Sequence, residues 1–158
     1  METHRYEHIT VQDIIDKADV GRSTFYAHFE TKDTLLKAMC SDIFEHIFDG
    51  DICNYTENTA TLESRLGHIL WHFNDIRADI IGILSSQSSE LFIGYLKENL
   101  QVLFKMYLSD FKCNTPSEFL LNHLVGSFCE TVKWWVSEQM QTPPETVARY
   151  FLAVIETH

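Results

Sequence analysis

Proline and glycine are scarce in this 158-residue chain, at three and six residues respectively. Both interrupt regular backbone, so their scarcity leaves few breaks between elements and favours long helices. No apolar run approaches the ~20 residues needed to cross a bilayer. The opening residues, Met1 to His8, are polar and charged and lack the apolar stretch of a secretory signal, which makes the cytoplasm the expected compartment. Cys40, Cys53, Cys113 and Cys129 form no CxxC pair and lie far apart. In a reducing compartment they are expected to be small buried or half-buried side chains, and a disulfide framework is not expected. Basic residues are also few: 12 Lys and Arg stand against 23 Asp and Glu, a formal charge of −11.

Hydrophobic residues make up 45% of the chain and charged residues 22%, enough for a real core. No alternating period-2 run is long enough for a sheet, so the expected fold is all-α. Thr10 is placed to cap a helix over 11–18, with Asp13 three residues on to close a capping box. Val11, Ile14, Ile15 and Ala18 fall on one face of that helix. A break at Asp19-Val20-Gly21 follows, where Gly21 is expected to supply the positive φ of a tight turn. A second short helix runs from Arg22 to about Phe29, with Phe25 and Phe29 four apart on its inner side. Two short helices joined by three residues have the shape of a helix-turn-helix. Thr31 can cap the next helix, about 32–48, and the polar stretch 49–59 suggests a boundary. The expected domains are therefore 1–48 and 49–158. Beyond the boundary, amphipathic segments are expected at about 61–77, 79–85, 88–110, 116–140 and 144–157, punctuated by Pro116 and Pro143-Pro144.

The stretch Ile9-Thr10-Val11-Gln12-Asp13-Ile14-Ile15, then Ala18-Asp19-Val20-Gly21-Arg22-Ser23-Thr24-Phe25-Tyr26-Ala27-His28-Phe29 and Lys32-Asp33-Thr34-Leu35-Leu36, resembles the DNA-binding module of the TetR family. The resemblance implies that Arg22, Ser23 and Thr24 read bases, while Tyr26, His28, Lys32 and Thr10 contact phosphates. The chemistry agrees with those roles. Arg grips guanine at two acceptors and the Thr methyl touches thymine. A Lys at a helix start suits a phosphate, and the hydroxyl and N–H of Thr10 can meet the opposite strand. The charge balance does not help: residues 1–45 carry five Lys and Arg against nine Asp and Glu. Affinity is therefore expected to be modest and steeply salt-dependent. The family's module begins with a long helix for which Met1 to His8 are too few. A loosened N-terminal module with impaired DNA binding is the expectation.

The segment Gly126, Lys133-Trp134-Trp135-Val136, Met140, Pro143-Pro144-Glu145 and Phe151-Leu152 resembles the end of many TetR-like regulators. There the last two helices pair with their copies in a four-helix interface. Apolar residues along 119–136 cover more than one helix face, and the excess has to be buried by the chain itself or by a second copy. A twofold homodimer through Leu121, Val125, Phe128, Val132, Trp135, Val147, Phe151 and Ile155 accounts for it. By the same resemblance Leu70, Trp71, Phe92, Tyr95, Phe104 and Tyr107 enclose a pocket for a small-molecule effector of unknown identity.

His68 and His72, with Asp75 and Asp79 continuing their stripe, offer the one alternative chemistry, a divalent-metal site. No glycine loop for phosphate, nucleophile elbow or nucleotide fingerprint is present. The expected function is a ligand-responsive repressor that binds operator DNA as a homodimer, with no cofactor, no catalysis and no membrane partner. The rivals are a TetR-like dimer that acts by pairing with another regulator, and a metal sensor or small helical enzyme.

Overall fold

The computed structural model describes residues 10–52, 61–86 and 88–156, and among them every regular element is helical. Helix α1 spans Val11–Ala18, α2 Arg22–His28 and α3 Lys32–Ile52; α4 spans Leu62–Asp75 and α5 Arg77–Leu84. Then come α6 (Ser89–Lys105), a short 3-10 turn (Leu108–Asp110), α7 (Ser117–Ser137) and α8 (Pro144–Glu156). The expected all-α architecture is the observed one.

Local chemistry fixes the start of the chain's first described helix. The Thr10 hydroxyl accepts from the Asp13 N–H at 3.1 Å, and the Asp13 carboxylate accepts from the Thr10 N–H at 2.9 Å. This reciprocal capping box satisfies two donors that a helix start leaves unpaired. The turn that follows differs from expectation. Gly21 is extended, with φ −74°, and it is Asp19 that takes the left-handed conformation at φ 55°. Asp tolerates that region because its short polar side chain bonds locally. Thr31 caps α3 by accepting the Thr34 N–H at 3.2 Å.

Helix α3 runs through the boundary expected at residue 48 and continues to Ile52. Its inner residues Leu36, Cys40, Phe44 and Ile47 belong to the same buried cluster as α4 to α8. Ile15 and Phe25, by contrast, are buried outside that cluster, as a small separate core under the helix-turn-helix.

Two aromatic triads organise the larger core, and α6 supplies one ring to each. Phe44, Phe73 and Phe92 meet with centroids 5.3–6.3 Å apart. Phe104, Phe128 and Phe151 meet at 5.2–6.3 Å. Each such pair contributes about 0.5–1.5 kcal/mol beyond the area it buries. The first triad ties α3 to α4 and α6; the second closes α7 and α8 onto α6.

Candidate nucleic-acid interface

Helix α2 presents one face inward and the rest to solvent. Phe25 is buried, and its ring lies 5.8 Å from that of the half-buried Phe29 and 5.3 Å, edge-on, from that of Tyr26. This aromatic anchor fixes the helix while Arg22, Ser23, Thr24, Tyr26 and His28 all remain exposed. Tyr26 keeps 48% of its surface in solvent, so it is no core aromatic. Lys32 is half-buried as the first residue of α3. The backbone N–H of Thr10, expected to meet a phosphate, is held by Asp13 instead, which leaves the hydroxyl hydrogen as the residue's available donor. Arg22 is oriented across the turn: its Nη2 donates to Oε1 of Gln12 at 2.5 Å, and Nε2 of Gln12 donates to Asp16 at 2.7 Å. Spacing gave no hint of this contact, because it joins residues ten apart through a turn.

An N-terminal helix-turn-helix with solvent-facing polar groups, joined by one long helix to a helical domain, has matches among known proteins. A profile described as bacterial regulatory proteins of the tetR family matches residues 1–39, and one described as a transcriptional regulator C-terminal region matches residues 60–157. The chain belongs to the TetR family. A crystal structure of a TetR transcriptional regulator from Streptococcus agalactiae 2603V is 36% identical, with a TM-score of 0.75 over 96% of this chain and 84% of that one. The HTH-type transcriptional regulator YxbF of Bacillus subtilis (strain 168) is 38% identical over 166 residues. That match takes in 98% of this chain but only 41% of YxbF, so the chain spans less than half the length of this relative. The dihydroxyacetone kinase operon activator DhaS, 15% identical with a TM-score of 0.69 over 96% of this chain and 85% of that one, shares the fold. The expectation of a shortened first helix falls on residues 1–9, outside the described residues.

The residues expected at the dimer interface differ in how far the chain itself covers them. Val125, Phe128, Val132, Trp135, Val147 and Phe151 are buried in the chain's own core, and Leu121 and Ile155 are half-buried. The fold itself therefore covers much of the excess apolar surface of α7 and α8. Of the ten large apolar side chains left exposed among the described residues, four (Phe119, Trp134, Tyr150 and Val154) belong to these helices. All four line an open groove of about 1540 Å³. Buried Phe151 and half-buried Ile155 line the same groove, so an interface through α7 and α8 would combine these two residues with the four exposed side chains.

The residues expected to line an effector pocket are unequally exposed. Leu70, Phe92 and Phe104 are fully buried core, Tyr95 and Tyr107 are half-buried against it, and Trp71 is exposed on the outer side of α4. None of the six lines the large groove.

His68 and His72 do meet, Nε2 to Nε2 at 2.8 Å, a hydrogen bond in which one imidazole donates and the other accepts. The ring of His46, from α3, lies 5.3 Å from that of His72. Asp75 ends α4 while Asp79 belongs to α5, so the acidic stripe expected beyond the histidines is broken at Ile76. Among the described residues no group of three His, Cys, Asp or Glu side chains is arranged to hold a metal ion. No helix among them is long and apolar enough to cross a membrane.

Proposed function

We propose that this TetR-family chain is a cytoplasmic DNA-binding repressor that works as a homodimer and releases its operator when a small-molecule effector binds. The observation that carries the reading is the divided surface of α2. Phe25 anchors the helix from below, while Arg22, Ser23, Thr24, Tyr26 and His28 remain exposed. A recognition helix needs this arrangement, since its N-terminal side chains read base edges while neighbours hold the backbone. Arg22, Ser23 and Thr24 read bases in this proposal; Tyr26, His28, Lys32 and the Thr10 hydroxyl hold phosphates. The second copy packs on Phe119, Trp134, Tyr150 and Val154, which sets two α2 helices about one turn of DNA, or a multiple, apart. The effector shifts the dimer between two states that differ in that spacing.

Selection of bound duplexes from a random pool, followed by gel shifts at low and physiological salt, tests the proposal. Arg22→Ala is expected to weaken binding to the selected site and relax its sequence. Lys32→Ala is expected to weaken all duplexes alike and lower the salt slope by about 0.9. A reporter driven from the bound site reads the direction of control. Failure to enrich any duplex, even at low salt, would favour instead a dimer that acts by pairing with another regulator.

A further inference from the structure

We infer that Gln12 and Asp16 are positioning residues for base reading by Arg22, so that operator specificity is set by a relay between two helices and not by α2 alone. The inference rests on the reading of Arg22 as a base-contacting residue. Gln12 and Asp16 stand four apart on the exposed face of α1, one helical turn from each other, and Arg22 is the first residue of α2 across the turn. Oδ1 of Asp16 accepts from Nε2 of Gln12 at 2.7 Å, and Oε1 of Gln12 accepts from Nη2 of Arg22 at 2.5 Å.

The direction of this relay follows from donor chemistry. A carboxylate only accepts, so Asp16 draws the NH₂ of the Gln12 amide towards itself. The carbonyl oxygen of the same amide must then point the other way, where the guanidinium of Arg22 lies. Without Asp16 the amide can turn over and set an NH₂ against a cation. With it, one of the five N–H groups of Arg22 is anchored and the others remain available. An anchored guanidinium reaches the two acceptors of a guanine with less side-chain freedom left to lose. The relay also deals with an acidic residue beside the duplex. The Asp16 carboxylate faces an amide whose far end touches a cation, so its charge is partly answered within the module.

The test uses the full chain, with binding sites selected from random-sequence duplexes for the wild type, Arg22→Ala, Gln12→Ala, Gln12→Met and Asp16→Ala. Arg22→Ala is expected to lower a guanine preference at one symmetry-related pair of positions about tenfold. Both Gln12 variants and Asp16→Ala are expected to lower the preference at those same positions about threefold, the effect of one lost side-chain hydrogen bond, and to leave the other positions unchanged. Asp16→Ala removes a negative charge and so raises affinity for every duplex, which makes the base-preference ratio the quantity to read. Ala and Met are good helix formers, and an unchanged melting curve shows that α1 is intact in these variants. In an Arg22→Ala background the Gln12 and Asp16 changes are expected to leave the base preference where Arg22→Ala alone puts it. An unchanged or sharper guanine preference in the Gln12 and Asp16 variants overturns the relay. A motif left intact by Arg22→Ala overturns the base-reading role on which it stands.

Discussion

Trp135 donates its indole N–H to the carbonyl of Thr142 at 2.7 Å, across the turn that joins α7 to α8. The ring itself is fully buried, while Thr142 is half-buried. Replacing Trp135 by Phe removes the donor, leaves the Thr142 carbonyl to find another partner and opens a void. The expected loss is about 2–4 kcal/mol of unfolding free energy. Urea titration of the variant against the wild type measures it.

The same turn contains two consecutive non-glycine residues in the left-handed region, Gln139 at φ 56° and Met140 at φ 52°. The carbonyl of Gln139 accepts from Arg77 of α5, which fixes the conformation from outside. Glycine adopts this backbone without the Cβ clash and retains the carbonyl. Gln139→Gly is therefore expected to raise stability by about 0.5–1 kcal/mol. Gln139→Val, branched at the clashing carbon, is expected to lower it by more than that gain. Paired thermal melts decide the sign.

Burial pushes the thiols of Cys40 and Cys129 up to about 11, from an ordinary value of 9.0. At Cys129 the nearby Lys97 and Lys133 pull the other way but do not outweigh desolvation. The folded chain thus keeps protons that the unfolded chain releases. Stability from these sites is complete below pH 9 and is lost as pH rises from there towards 11. Thiol reactivity follows the same division. Iodoacetamide at pH 8 is expected to modify the exposed Cys113 in the native protein and to reach Cys40 and Cys129 only on unfolding. Peptide mass spectrometry site by site checks this.

Trp134 and Val154, on α7 and α8, keep 45% and 69% of their surface exposed. In the proposed dimer a charge at either position would be buried without a partner. The double variant Trp134→Glu, Val154→Glu is expected to sediment as a monomer while keeping its helical circular dichroism. Helical protein that still sediments as a dimer would move the interface elsewhere.

Much of this architecture was legible because local rules and tertiary packing agree. Thr10 and Asp13 announce a helix start and form it; Pro116 and Pro144 mark the entries to α7 and α8. The inward face of α7 was not legible. Trp134 and Trp135 are neighbours in sequence, and an apolar pattern wider than one face does not say which ring turns in; packing against Phe104 and Phe151 selects the side that carries Phe128 and Trp135. The handedness of the first turn was misplaced because Gly21 is permissive there but not required, and Asp19 bears the positive φ. At the candidate site, α2 was readable from its residue types. The Gln12–Arg22 contact was not, since it depends on the angle between two helices and not on any period within one.

Helix α3 links the helix-turn-helix to the larger core. Its 21 residues make a rod about 30 Å long, with Phe44 seated in the first aromatic triad and Lys32 at the end that follows α2. Lys32 lies twelve residues, about 18 Å, from Phe44, so a tilt of about 5° about Phe44 carries it through roughly 1.6 Å. Small repacking among Phe44, Phe73 and Phe92 would thus reach the far end of α3 as a displacement of about half the spacing of neighbouring base pairs.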